Sequence, residues 1–420
     1  MSVTDSVSVF AEGTFEEQVH ELVDYIARSR SDDERTAITH SFQEILKAGD
    51  GEKSIEEDQD RQRRALTLVL QETKGLGEGS VLEIEGYFNL LYSHLFTLWS
   101  TDSPETKQHI SSLLQIISAS PSEQSAVKYR LLSNLGNTTP RSSPLRLQIY
   151  STLLQIASTN GELDVLPLSR NEVERWLKEW DISDEEKSAF LKSIIDALTK
   201  ADQLQTAYEY TLSYITSLPS SSPASELAAI DAIAMALRLP TIFDFDPLFK
   251  LDAIVASKDH ELFSLLQIFL NGGLPEFQAW SGSHAAAFEK YGLDKDQLEH
   301  KIRLLSFASL GFTYVGRDLP YSQISSTLEI DISEVEKWAI DLIRTGLLSG
   351  KLSQTTQSIH VYRSAARTFE REQWEALEKR LLAWKSGLAG VLEVVAAARK
   401  RPGGNATEAL QQANGVEAVA

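Results

Sequence analysis

Between residues 15 and 400, apolar side chains return every three or four positions and almost never alternate. Residues three and four apart share one face of an α-helix, whereas a strand needs a period of two. That pattern confines most of the chain to helix-on-helix packing. Phe15, Val19, Leu22, Val23 and Ile26 form one stripe, and Ala37, Ile38, Phe42, Ile45 and Leu46 form the next. Residues 48–60 (AGDGEKSIEEDQD) are acidic, contain glycine and hold almost no large apolar group. Such a segment buries too little to offset the entropy of ordering, so a flexible linker is predicted there. Residues 75–80 (GLGEGS) make a second break before a strongly apolar helix at 81–99.

Further helices follow across short joints. Pro104, Pro121, Pro140 and Pro144 stand at starts or boundaries, where a missing N–H costs little. Asn160-Gly161 marks a C-cap. Ser169 with Glu172, and Ser183 with Glu186, fit the capping box, in which each side chain satisfies the other residue's backbone donor. Residues 219–223 (PSSSP) form a loop before an alanine-rich helix at 225–239, and Asn271-Gly272-Gly273 ends a helix at 259–270. Helix pairs at roughly 35–40 residue intervals, without a shared residue signature, predict a structural repeat stacked as a superhelix.

The pattern changes near Asp294, which with Gln297 opens a helix running to Tyr314. A short helix at 321–328 follows Pro320, and Asp331 or Ser333 caps a third at 334–345, ended by Gly346. Residues 348–353 and 358–363 then read as two strands, with Ile359 and Val361 alternating against His360 and Tyr362. Three helices and a β-hairpin make a winged helix. The hairpin's unpaired edge invites strand addition from a neighbour, with Gly350, Leu352, Gln354, Ile359 and Val361 as the candidate residues. The last helix starts near Arg367 and carries Trp374, Leu377, Leu381, Trp384, Leu388, Val391 and Val395 at 3-4 spacing, a heptad seam flanked by Glu378, Arg380 and Lys385. Its apolar face must pack either on its own winged helix or on a partner bundle. Residues 401–420 read as a disordered tail.

With 420 residues, two or three folded units are expected. Acidic side chains number 60 against 40 basic, a formal net charge of −20, which opposes wholesale coating of nucleic acid. The charge is uneven: residues 1–60 hold sixteen acidic and five basic groups, and residues 351–401 hold ten basic and five acidic. Cysteine is absent, excluding disulfides and thiolate chemistry. No uninterrupted run of eighteen apolar residues and no basic leader occur, so an intracellular protein outside the membrane is expected.

No residues with the spacing of a catalytic, cofactor-binding or metal-binding site are expected from the sequence. Gly346 to Lys351 (GLLSGK) has too few residues between its glycines for a phosphate loop, and Leu352 replaces the needed hydroxyl. The eight histidines include no metal-binding spacing. Asp244 and Asp246 read as the solvated turn beside Pro247. The third helix of the winged helix carries Asp331, Glu334, Glu336 and Asp341 where a duplex would have to approach, leaving Lys301 and Arg303 on the first helix as the better basic candidates, though two charges form no patch.

Helical repeats ending in a winged helix resemble the PCI-domain family of the proteasome lid, the signalosome and eukaryotic translation initiation factor three. Within that family, residues 128–161, around Pro140-Arg141 and Pro144-Leu145-Arg146, are similar to the repeat helices of the initiation factor's subunit m. Residues 300–312 resemble its first winged-helix segment. Gly350-Lys351, Gln354, Val361 and residues 367–388 resemble its wing and terminal helix.

The expected fold is thus predominantly all-α: a right-handed helical-repeat superhelix, a winged-helix subdomain with a small β-hairpin, and a long C-terminal helix. The expected divisions are N-terminal helices at 1–80, repeats at 81–290, a winged helix at 291–365 (PCI domain about 205–365) and a bundle helix at 366–400. The resemblance implies a cytoplasmic, non-catalytic scaffold that needs no cofactor. Its partners would be the PCI subunit a and the MPN subunits f and h, with the small ribosomal subunit reached through the complex. Membrane contact is not implied, and direct nucleic-acid contact is weak or absent. The alternative family roles are a signalosome subunit or a messenger-RNA export subunit.

Overall fold

The computed structural model describes residues 13–46, 54–219, 222–367 and 371–400. Twenty α-helices and three short strands fall among them. The chain divides into two units: Met1–Leu239 with Lys250–Lys258, and Pro240–Phe249 with Asp259–Ala420. The unit that holds the winged helix therefore begins well before residue 291.

The first unit contains α1 (Phe15–Arg28), α2 (Asp32–Leu46), α3 (Gln59–Glu72), α4 (Val81–Leu98), α5 (Pro104–Ala119) and α6 (Ser125–Thr138). It continues with α7 (Leu145–Asn160), α8 (Arg170–Glu179), α9 (Asp184–Lys200), α10 (Leu204–Ser217) and α11 (Pro223–Arg238). Neighbours pack in series: α4 on α6, α6 on α7, α7 on α9, α9 on α10 and α10 on α11. One apolar core runs through them from Phe15 to Tyr210. Helix starts follow the predicted chemistry at Ser183, where the hydroxyl and the Glu186 carboxylate form a full capping box. Ser80 and Glu83 do the same for α4, and these bonds with Arg28 hold the Glu83 carboxyl down at about 2. At Ser169 the box does not form: the hydroxyl donates to the Glu172 carboxylate at 3.0 Å but accepts no backbone N–H.

The linker expectation needs correction. Residues 47–53 lie outside the described residues, but Ile55–Glu57 forms a 3₁₀ turn and α3 begins at Gln59. Ile55 is buried in the core, and the Glu56 carboxylate accepts the Phe15 N–H at 2.8 Å. One anchoring isoleucine and one acceptor suffice to order residues 54–60 despite their poor average composition. The predicted tail at 401–420 also lies outside the described residues.

After α11 the chain passes through α12 (Asp246–Phe249) and α13 (Asp252–Ala256). The second unit continues with α14 (Glu261–Asn271), α15 (Leu274–Ser283), α16 (Ala285–Lys290) and α17 (Lys295–Thr313). Then come β1 (Asp318–Pro320), α18 (Tyr321–Leu328), α19 (Val335–Arg344), β2 (Leu348–Ser353), β3 (Ser358–Ser364) and α20 (Arg371–Lys400). No side-chain cap forms before α19; a 3₁₀ turn at Ile332–Glu334 leads into it. Gly346, at φ +75°, turns α19 into β2, so the GLLSGK stretch is a helix end and the start of a strand.

The predicted two-stranded hairpin is a three-stranded antiparallel sheet of order β1-β3-β2. The pairs Ser349–Arg363 and Gly350–Val361 leave Tyr362 without an opposite residue, a β-bulge in β3. Gly350 is required there: a Cβ at that position would stand 2.6 Å from the His360 carbonyl oxygen. The inner face of the sheet, with Leu319, Leu348, Ile359 and Val361, closes a core with α17, α18 and α19.

Candidate partner-binding surfaces

Because β3 lies between β1 and β2, the proposed wing residues separate into two groups. Gly350 and Leu352 lie on β2, an outer strand that pairs on one side only among the described residues. Its other side offers backbone donors and acceptors to an added strand. Gln354 sits exposed in the turn that follows. Ile359 and Val361 are wholly buried on the central strand, so they build the core and offer no edge. The missing information was β1, a three-residue strand ending in proline that no period-2 pattern announces.

α20 is amphipathic, and its apolar seam is largely exposed. Trp374, Leu377, Leu381, Trp384, Leu388 and Val391 are between 37% and 67% exposed, Trp384 the most. The seam is therefore not folded back on the winged helix. Contact with α17 runs through Arg380, which donates to the Phe312 carbonyl at 3.4 Å and lies 5.2 Å from that residue's ring centre. By length and composition, Leu377–Ala398 is also apolar enough to cross a bilayer, at a mean hydropathy of 1.5, which the search for an uninterrupted run did not reveal. Glu378, Lys379, Arg380, Lys385 and Glu393 stand inside that stretch.

The path into α20 is held by Arg367. Its guanidinium donates from Nε to the Leu305 carbonyl (3.0 Å), from Nη1 to the Gly272 carbonyl (2.5 Å) and from Nη2 to the Ser306 hydroxyl (2.9 Å). Burial pushes its pKa down to about 10, so it stays charged at neutral pH. One side chain thus ties the end of α14 to the middle of α17, four residues before α20 starts. A groove beside it is lined by Phe243, Asp246, Leu305, Leu347 and Ala366. Sequence reading missed this role, because an arginine after Ser364-Ala365-Ala366 carries no local signal.

Comparison with known families places two models here. A model described as "eIF3 subunit M, C-terminal helix" matches residues 367–395, and one described as "PCI domain" matches residues 282–363. Full-length similarity decides the family. A eukaryotic translation initiation factor 3 subunit M from Phaeosphaeria nodorum is 30% identical over 407 residues, covering 94% of this chain and 89% of that protein. The chain belongs to the subunit M family of eukaryotic translation initiation factor 3. Subunit M proteins of Aspergillus clavatus and Aspergillus terreus are each 30% identical as well, over 94% of this chain and 86% and 88% of their own lengths.

The family's C-terminal helix model thus begins at the anchoring Arg367 and covers the bare seam to Val395. As a subunit M chain, the protein is a PCI-domain subunit of a translation initiation factor. Among the described residues no group of three or more His, Asp or Glu is placed to hold a metal ion. The two basic candidates on α17, too few for a patch, are also not free at the surface. Lys301 is buried, its ammonium 5.0 Å from the Phe245 ring centre and its pKa lowered by desolvation to about 7. Arg303 is spent within the fold, on the Leu328 carbonyl (3.2 Å) and the Glu299 carboxylate (2.9 Å).

Proposed function

We propose that this chain is a non-catalytic scaffold of the cytoplasmic initiation factor, held in the complex by the α20 seam and supported by the β2 edge. The partners are the PCI subunit a and the MPN subunits f and h, and the assembled factor brings it to the small ribosomal subunit. The observation that carries this reading is a heptad seam with two exposed tryptophans in the segment that matches the family's C-terminal helix. A helix of thirty residues with both Gly387 and Gly390 inside it is poorly stabilised alone and gains order by packing. Its alternating charges at Glu378, Arg380 and Lys385 suit the flanks of a protein bundle better than a bilayer interior.

Trp384→Asp tests it. Full burial of that ring on a partner is worth about 2–3 kcal/mol, and an unpaired carboxylate in the seam costs several more. The tagged variant should lose the other subunits on co-purification while the isolated chain melts at the wild-type temperature. Leu352→Pro, which removes a donor from β2, should weaken assembly without abolishing it. A Trp384→Asp chain that still assembles refutes the seam; a normal Leu352→Pro complex refutes the edge.

A further inference from the structure

The bulge in β3 does more than bend a strand. Along β3 the alternation of buried Ile359 and Val361 with outward His360 and Tyr362 breaks after Tyr362, so that both Tyr362 and Arg363 turn outward. Tyr362 is 59% exposed. Its ring meets that of His360 edge-on at 5.2 Å between centroids. Lys351, exposed on β2, stands directly across from His360 in the strand register. Two aromatic rings are thus flanked by a lysine and an arginine on one small sheet. The surrounding sequence is unusual for so acidic a chain: between Asp341 and Glu370 there is no Asp or Glu at all. Among the described residues, the carboxylate paired to this part of the sheet is Asp318, which lies 2.7 Å from His360 Nδ1 and is already engaged.

The geometry points to a contact site for single-stranded RNA on the outward face of this sheet. A nucleobase stacks on the open Tyr362 ring, and the phosphates on either side meet Lys351 and Arg363. Stacking needs only an accessible aromatic face and is indifferent to sequence, while cations spaced along the groove follow the backbone. An acidic protein segment would satisfy the two cations but leave the exposed ring without a use. The acidic surface of α19, which repels a duplex, is a different element. The α20 seam is a separate element, whereas Lys351 projects from β2 itself, so the RNA contact uses side chains on the sheet's outward face and strand addition uses the backbone edge of the same strand.

Fluorescence anisotropy of a labelled twelve-nucleotide oligouridylate against the purified full-length chain tests this at low and moderate salt. Tyr362→Ala should weaken binding about tenfold, as expected for one lost stacking contact, and Tyr362→Phe should preserve it. Lys351→Gln with Arg363→Gln should reduce the salt dependence by about 1.4 units of the logarithmic slope, two phosphates' share on a single strand. All three side chains are exposed, so unchanged circular-dichroism melting confirms that the fold is intact. No binding, or binding that none of these substitutions alters, overturns the proposal. So does a polyglutamate peptide that competes equally with the RNA while Tyr362→Ala has no effect, since that face would then be a dock for acidic protein.

Discussion

Replacing Arg367 by methionine keeps the apolar stem and removes the three bonds that hold the start of α20. Hydrogen bonds from an ionised donor each contribute about 1.5–3 kcal/mol, but the three losses do not add. The Leu305 carbonyl also accepts the Ser309 hydroxyl at 3.1 Å, and the Ser306 hydroxyl is free to rotate. The Gly272 carbonyl, at the end of α14, bears most of the loss. A net destabilisation of about 3 kcal/mol follows. For a unit of roughly 170 residues, each kcal/mol moves the melting midpoint by about 2–4 °C, so the transition of the second unit should fall by about 6–12 °C. Differential scanning calorimetry of the full-length chain measures it. Arg367→Lys, with one ammonium in place of a planar fork, should recover less than half of the loss. Because the seam itself is untouched, weaker co-purification by Arg367→Met would show that aiming α20 matters as well as its surface. A midpoint within about 2 °C of wild type, with normal assembly, would refute the anchoring argument.

Gly350→Ala should destabilise the second unit by about 1–3 kcal/mol, because the new methyl meets a backbone carbonyl that cannot yield; urea unfolding checks it. Acid should weaken the fold through His94, His109 and His300, whose pKa values burial lowers against the opposing pull of Glu56, Glu105 and Asp341. The unfolded chain takes up these protons first, so their contribution is complete above about pH 6.5 and is lost as pH falls through that value towards the folded ones. His94→Phe, in a site already shared edge-on with Phe15, should flatten the dependence of the urea midpoint between pH 7.5 and 5.5.

Local chemistry made the helices readable. Pro320 and the αL turn at Glu329 bracket α18 at the predicted residues 321–328, and β2 runs over the predicted 348–353. The errors share a physical origin. Ile55 and β1 are ordered by contacts distant in sequence, which a composition window or a periodicity cannot contain. Lys301 is a different case, since it shares a stripe with Leu298, Ile302 and Leu305. Its spacing placed it on the buried face, and its charge alone made it a basic candidate. At the candidate site, the seam of α20 was plain from spacing, but its exposure was not. The sorting of the wing residues into edge and core needed β1.

The chain visits its two units out of turn: residues 240–249 belong with the later unit, and 250–258 return to the earlier one. No single peptide bond therefore separates the two. A fragment started at residue 259 would lack Phe243 and Phe245, leaving Lys301 without the rings over its ammonium. The same holds during synthesis, when residues 240–249 leave the ribosome before every other part of their unit and wait for α17 to be made. The winged helix is thus finished late, around a short segment delivered early, so cutting the gene at the edge of the matched PCI region yields an incomplete object.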